Sequence, residues 1–191
     1  MRKYLEREGG FAYTIEDPPE MPLDGIYQSK RGGLGLCKQT EPDNNDWGES
    51  LKSALRCRPR YILVGEIRTP DAASQILRAA TSGHLVLSTI HANSVEDALN
   101  SVIKYAMSSD LSEELAADLL GRGILGVVHQ KLQGIKTMFP EVRFVFANPD
   151  PTVADQLRIC IRDRQIALGA LMESQAARMY QGKPLFREPE Q

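Results

Sequence analysis

The sequence lacks most of the features that mark a specialised class of protein. Its 3 cysteines, Cys37, Cys57 and Cys160, stand far apart with no C-x-x-C pair, so neither a disulfide framework nor a structural zinc site is encoded. Three reduced thiols are expected, some of them in the core. No apolar run approaches the roughly 20 residues that span a bilayer, and the N-terminus, MRKYLEREGG, has no apolar stretch of the signal-peptide kind. The expectation is a soluble, cytosolic chain. Neither charge is in excess: 23 Lys and Arg against 25 Asp and Glu leave a formal net charge of -2. The basic residues are scattered, which gives no electrostatic footprint for nucleic acid. Internal repeats and low-complexity tracts are also missing.

What is present is an ordinary globular composition, 191 residues with 42% hydrophobic and 25% charged, enough for one domain with a buried core. Short apolar segments alternate with helical patterns, which argues for an α/β sheet with helices on its faces. Phe11 to Ile15 is the first strand candidate, after Gly9-Gly10. From Pro18 to Asp43, PPEMPLDG and RGGLGL predict long loops or a short hairpin. Asp46 followed by Glu49 reads as a capping box opening a helix that Pro59 ends.

Tyr61 to Glu66 is an unbroken apolar run suited to a strand buried on both faces and ending in a carboxylate. Thr69-Pro70 starts a helix, since proline is preorganised at the first helical position, and Gly83 ends it. His84 to Ile90 is expected as another buried strand, and Ser94 with Asp97 caps a helix running to about Met107. SEELAADLL is helical, VVHQKL and EVRFVFA read as strands, and 153–179 as one or two helices. The expected division is a core over 1–148 and a helical C-terminal region over 149–191, with the last ten residues frayed.

Three segments place polar groups at the ends of predicted strands, where open α/β sheets bind ligands. TIEDPPE, 14–20, crowds Glu16, Asp17 and Glu20, with two prolines restricting the exit path; by itself it is also a plain solvated acidic loop. RYILVGEIR, 60–68, lets the backbone turn at Gly65 and projects Glu66, with Arg68 nearby. A carboxylate so placed can orient and deprotonate water or help hold Mg2+ through water; the alternative is a surface acid paired with Arg68. TSGHLVLSTIHANS, 81–94, carries His84 before a strand and His91 after it. His91 could hydrogen-bond a terminal phosphate or a carboxylate. No third ligand accompanies the two histidines, so no zinc site is read and no metal-ligating residues are assigned.

Together and in this order the three segments resemble the Asp box, Walker B segment and His box of the type II and type IV secretion motor ATPases. The phrase RPRYILVGEIR and the spacing between boxes match as well, over roughly Met1 to Leu132 and more loosely to Met179. The resemblance implies a RecA-like P-loop NTPase core, ATP and Mg2+ as ligands, and a hexameric homo-oligomer. It also implies work with platform proteins at the cytoplasmic face of the inner membrane, with no direct nucleic-acid binding. Carried over by residue, it makes Glu66 the catalytic carboxylate, and Glu16 with Asp17 acidic partners near Mg2+ and water. His84 and His91 become phosphate sensors, and Arg68 a holder of Glu66 or of the neighbouring subunit. The long loop 25–40 takes no role.

One departure stands beside the match. The family places a G-x-x-G-x-G-K-[ST] loop before the Asp box, whose backbone N–H groups and lysine cradle phosphates; the 191 residues contain no such segment. MRKYLERE resembles the end of the helix that follows this loop. The expectation is a chain that begins inside the motor core, without the family's N-terminal domain. It is either a piece of an ATPase or a non-catalytic module that still packs into the ring.

Overall fold

The computed structural model describes residues 1–134, 137–150 and 153–186. It divides into two compact units, one formed by Met1–Ile90 and Val102–Ala116, the other by His91–Ser101 and Ala117–Gln191.

The first unit is built on a five-stranded sheet of β1 (Gly10–Ile15), β2 (Gly25–Gln28), β3 (Leu34–Thr40), β4 (Tyr61–Val64) and β5 (Leu85–Ser88), in the order β2-β3-β1-β4-β5. The four strands from β3 to β5 run parallel, and β2 is antiparallel to β3. The mixed, mostly parallel α/β architecture is the one expected. The stretch 18–43 does form a hairpin, and its second strand is also an inner member of the sheet, lying parallel to β1. β4 is buried nearly throughout, as its apolar run requires. β5 corrects the expectation of a buried strand: Leu85, Val86 and Leu87 are only half-buried, because β5 is the edge strand and has a neighbour on one side only.

Helix starts follow their capping chemistry. Asp46 Oδ1 accepts from Glu49 N at 3.0 Å to open α2 (Trp47–Arg56), and Thr69 Oγ1 accepts from Ala72 N at 3.3 Å to open α3 (Pro70–Thr81). Each satisfies one of the N–H groups that a helix leaves without an internal partner. α4 (Val95–Met107) begins with Ser94 Oγ accepting from Asp97 N at 3.1 Å. α5 (Glu113–Gly123) follows, and among the described residues no helix is long and apolar enough to cross a membrane.

α1 (Arg2–Glu8) lies on the sheet face that carries Ala12, Cys37 and Tyr61, and its one buried residue, Leu5, joins their cluster with Leu23. The approach is close because Gly35 has no side chain. A Cβ there would stand 2.9 Å from both Leu5 Cβ and the Leu5 carbonyl oxygen.

The second unit contains an antiparallel ribbon, β6 (Gly126–Gln133) with β7 (Phe139–Phe146), and two helices, α6 (Gln156–Arg162) and α7 (Gly169–Tyr180). Val95, Leu99, Ala117, Val145, Leu157, Ile161 and Leu168 are among its fully buried apolar residues. Gln175 of α7 is buried too, and its amide closes on one residue of β7: Oε1 accepts from Phe146 N at 2.9 Å and Nε2 donates to Phe146 O at 2.8 Å. Of the last ten residues, 182–186 form no helix, and 187–191 lie outside the described residues.

Gly35→Ala is expected to destabilise the first unit by about 1–3 kcal/mol, the usual cost of overpacking against atoms that cannot move aside. Here one of those atoms is backbone. Urea unfolding checks this, and an unchanged midpoint would show that α1 does not pack where described.

Candidate active site

The site is assembled by two parallel strands that end level with each other. Ile15 of β1 is in register with Val64 of β4, and the pairing continues past both strands. Gly65 N donates to Ile15 O at 2.8 Å, and on the other side Glu16 N donates to Thr40 O at 3.0 Å. Glu16 is therefore held between the exits of β3 and β4. An atom added at the Cβ position of Gly65 would lie 3.4 Å from Glu16 Cα and 3.5 Å from its Cγ, which measures how close the two exits stand. Glu16 is 8% exposed, and Gln39 Nε2 donates to its Oε1 at 2.8 Å.

Glu66 follows at the next position of the β4 exit. Arg68 Nε donates to Glu66 Oε2 at 2.7 Å, and the guanidinium carbon lies 5.9 Å from the ring centroid of the buried Trp47. The hydrogen bond to Glu66, and next its charge, push the Arg68 guanidinium above its ordinary range; the Asp17 carboxylate adds to this in the same direction. Arg68 thus faces two carboxylates from two different strand exits, Glu66 and Asp17. The β5 exit is tied in as well: Thr89 Oγ1 donates to Gly65 O at 2.6 Å, and Ile67 N donates to Thr89 O at 2.8 Å.

Glu16, Asp17, Glu66 and Arg68 are brought together in this way, all on the first unit. His84 is not. Its Nδ1 lies 2.6 Å from Pro59 O, and since a carbonyl only accepts, Nδ1 carries the proton. Pro59 and His84 precede β4 and β5, so His84 sits at the opposite end of the strands from Glu66. A four-residue strand puts about 13 Å between the two ends. His91 is exposed and is the first residue of the second unit. In that unit His129 Nε2 donates to the carbonyl of the adjacent Ala92 at 3.1 Å.

Sequence reasoning assigned no role to Gln39, Trp47 or His129. Gln39 lies in a stretch that reads as loop and becomes visible only once β3 is known to neighbour β1. Trp47, the 1 tryptophan of the chain, had a usable signal in its rarity, but nothing in the spacing connects it with Arg68. As to metal, no group of three or more His, Cys, Asp or Glu among the described residues could hold an ion. The carboxylate oxygens of Glu16, Asp17 and Glu66 are suitable partners for the water shell of Mg2+, an ion that keeps several waters and takes few protein ligands.

Comparison with known proteins gives the same assignment from outside. The sequence profile of the family described as type II/IV secretion system protein matches residues 3–166. Type II secretion system protein E of Dickeya dadantii is 36% identical over 131 residues, 68% of this chain and 22% of that protein. The type IV pilus assembly ATPase PilB of Pseudomonas aeruginosa is 37% identical over 93 residues, 47% of this chain and 14% of that protein. Among solved structures, the pilus retraction motor PilT with bound ADP superposes with a TM-score of 0.63 at 24% identity, covering 96% of this chain and 48% of that one. The Legionella pneumophila ATPase DotB gives 0.63 at 19%, covering 95% and 51%. These two show the fold. The chain spans 22% and 14% of the length of these two curated relatives and about half of these solved ones.

Cys37 reports on the acidic character of this corner of the sheet. Its thiol is pushed up to about 11, by burial first and then by the negative charges of Asp24 and Glu16. The native state therefore holds this proton more tightly than the unfolded chain does. Stability linked to it is complete below about pH 9 and declines as pH rises toward 11. Alkylation at pH 8 is expected to label the exposed Cys57 and to leave Cys37 unmodified until the chain unfolds. Equal labelling of the two in the folded chain, read by mass spectrometry, would contradict the burial of Cys37.

Proposed function

The chain belongs to the type II/IV secretion system protein family, and from that premise we propose that its carboxylate cluster activates the water that hydrolyses ATP in a secretion or pilus motor. The observation that carries this reading is the arrangement of Glu66 and Glu16 on adjacent strand exits, one carboxylate held by Arg68 at 2.7 Å and the other by Gln39 at 2.8 Å. Water attacking the terminal phosphorus must lose a proton, and Glu66 is the acceptor. Arg68 is half-exposed, so the ion pair adds little to stability. Its use is orientation: the guanidinium fixes the carboxylate through Oε2. Glu16 and Asp17 are assigned the role of acidic partners to the same water. Mg2+, when bound with ATP, would neutralise charge that develops on the phosphates.

His91 is assigned the role of phosphate sensor, and His129, by holding the neighbouring carbonyl of Ala92, keeps its loop in place. His84 is better read as a group that fixes the start of β5 through Pro59. The motor is proposed to be a hexameric ring acting on inner-membrane platform proteins. A second reading is supported by the lack of any G-x-x-G-x-G-K-[ST] segment in the 191 residues: a module that packs into such a ring without itself binding nucleotide.

Calorimetry on the 191-residue chain with ATP and Mg2+ is expected to give millimolar affinity at best. Loss of only three charge-assisted hydrogen bonds to phosphate removes about 4.5 kcal/mol, on the order of a thousandfold in Kd. Micromolar binding would overturn this. In a chimera that joins this chain to the rest of the Dickeya relative, Glu66→Gln should lower turnover by about 10²–10⁴-fold, the usual worth of a general base, and leave ATP binding intact. Near-full turnover in that variant would remove Glu66 from the chemistry.

A further inference from the structure

The amide of Gln39 is the most heavily engaged side chain near the cluster, with bonds beyond the one to Glu16. Its Nε2 donates to Glu16 Oε1 and to Met21 O, each at 2.8 Å, and its Oε1 accepts from Leu23 N at 3.0 Å. The backbone of the same residue donates to Asp24 Oδ1 at 2.9 Å. The orientation of the amide is not arbitrary. Leu23 N–H can only donate, and Glu16 Oε1 and Met21 O can only accept, so the oxygen must face Leu23 and the nitrogen must face the other two.

The loop that Gln39 holds is itself anchored. Leu23 is buried, its carbonyl accepts from Tyr27 Oη at 2.6 Å, and its N–H is the one bound by Gln39. Glu16 is almost fully buried, yet its Oε2 has no hydrogen-bond partner among the described residues. A carboxylate with one oxygen held and one unbound has a single orientation. The residue that holds it decides which oxygen remains for water.

We propose that Gln39 is the positioning residue of Glu16, an amide clamp that fixes the carboxylate against the 21–24 loop and leaves Oε2 for the water of the reacting site. The catalytic meaning of the clamp rests on the ATPase reading above, whereas the clamp itself does not. Asparagine could not replace glutamine here, because it is one methylene too short to reach Glu16 from β3 while still accepting from Leu23. Leucine would keep the volume and lose every side-chain bond. Glutamate would keep the acceptor for Leu23 and place a second carboxylate against Glu16.

The test is a pH titration of the isotopically labelled 191-residue chain by NMR, with Gln39→Leu and Gln39→Glu compared to the parent. In the parent, the Gln39 side-chain NH2 signals should move along the same curve as the Glu16 carboxyl carbon, and Glu16→Gln should abolish that movement. In Gln39→Glu two facing carboxyls cannot both ionise freely, so one should titrate well above the ordinary carboxylate range. NH2 signals that ignore Glu16, or two ordinary titrations in Gln39→Glu, would overturn the clamp.

In the same chimera with the Dickeya relative, Gln39→Leu should lower kcat about tenfold to a hundredfold with KM for ATP nearly unchanged, as misplacement of a reacting group does. An unchanged kcat would overturn the positioning role. Gln39→Glu separates loss of the clamp from loss of the fold, because it still satisfies Leu23. A chimera that is inactive with glutamine at position 39 would fail the ATPase reading, and the titration would still decide whether the clamp exists.

Discussion

Everything in the first unit depends on β1 and β4 pairing in parallel and ending at the same level. The register Ile15 with Val64, extended by the bond from Gly65 N to Ile15 O, puts two acidic residues from segments fifty positions apart side by side. Parallel strands have this property in general, since their carboxyl ends share one edge of the sheet. In this chain the edge also receives the β3 exit through Thr40 and the β5 exit through Thr89. Four strand ends thus converge, and the acidic side chains are fixed by backbone bonds before any side-chain interaction is counted.

The side-chain interactions then refine orientation. Arg68 and Gln39 do the same work by different means, one with a charged donor in a half-exposed setting and the other with a neutral donor in a part-buried one. The difference follows from environment. A guanidinium beside Glu16 would have to be desolvated, at a cost that a single ion pair repays poorly. A neutral amide with both donors and its oxygen engaged is accommodated there at little cost.

Much of this was legible in the sequence, and the reason is local. The strand at Tyr61–Val64 announces itself by an apolar run, and the helices from Trp47, Pro70 and Val95 by Asp46, Thr69 and Ser94. Glu16, Asp17, Glu66 and Arg68 were found because they directly follow recognisable strands. What could not be read is what depends on sheet order. β3 looks like loop because its neighbours alternate small and exposed residues, so Gln39 had no partner to suggest a role. His84 and His91 stand close together in a single motif, yet a strand separates them, and only the direction of β5 shows that one is at the far end from Glu66. β5 looked buried because Leu85 to Leu87 is apolar, and apolar composition does not distinguish an edge from a centre.

The bond pair between Gln175 and Phe146 has a consequence for the second unit. A side-chain amide that donates to and accepts from one backbone residue stands in for one rung of a missing strand. The outer margin of β7 is thereby closed at that rung by a helix, in the manner by which natural sheets keep their margins from recruiting foreign strands. It follows that α7 acts as a guard of the ribbon: when it lifts away, the rung becomes sticky. Partial unfolding at the chain's C-terminal end and strand-to-strand self-association then become one event.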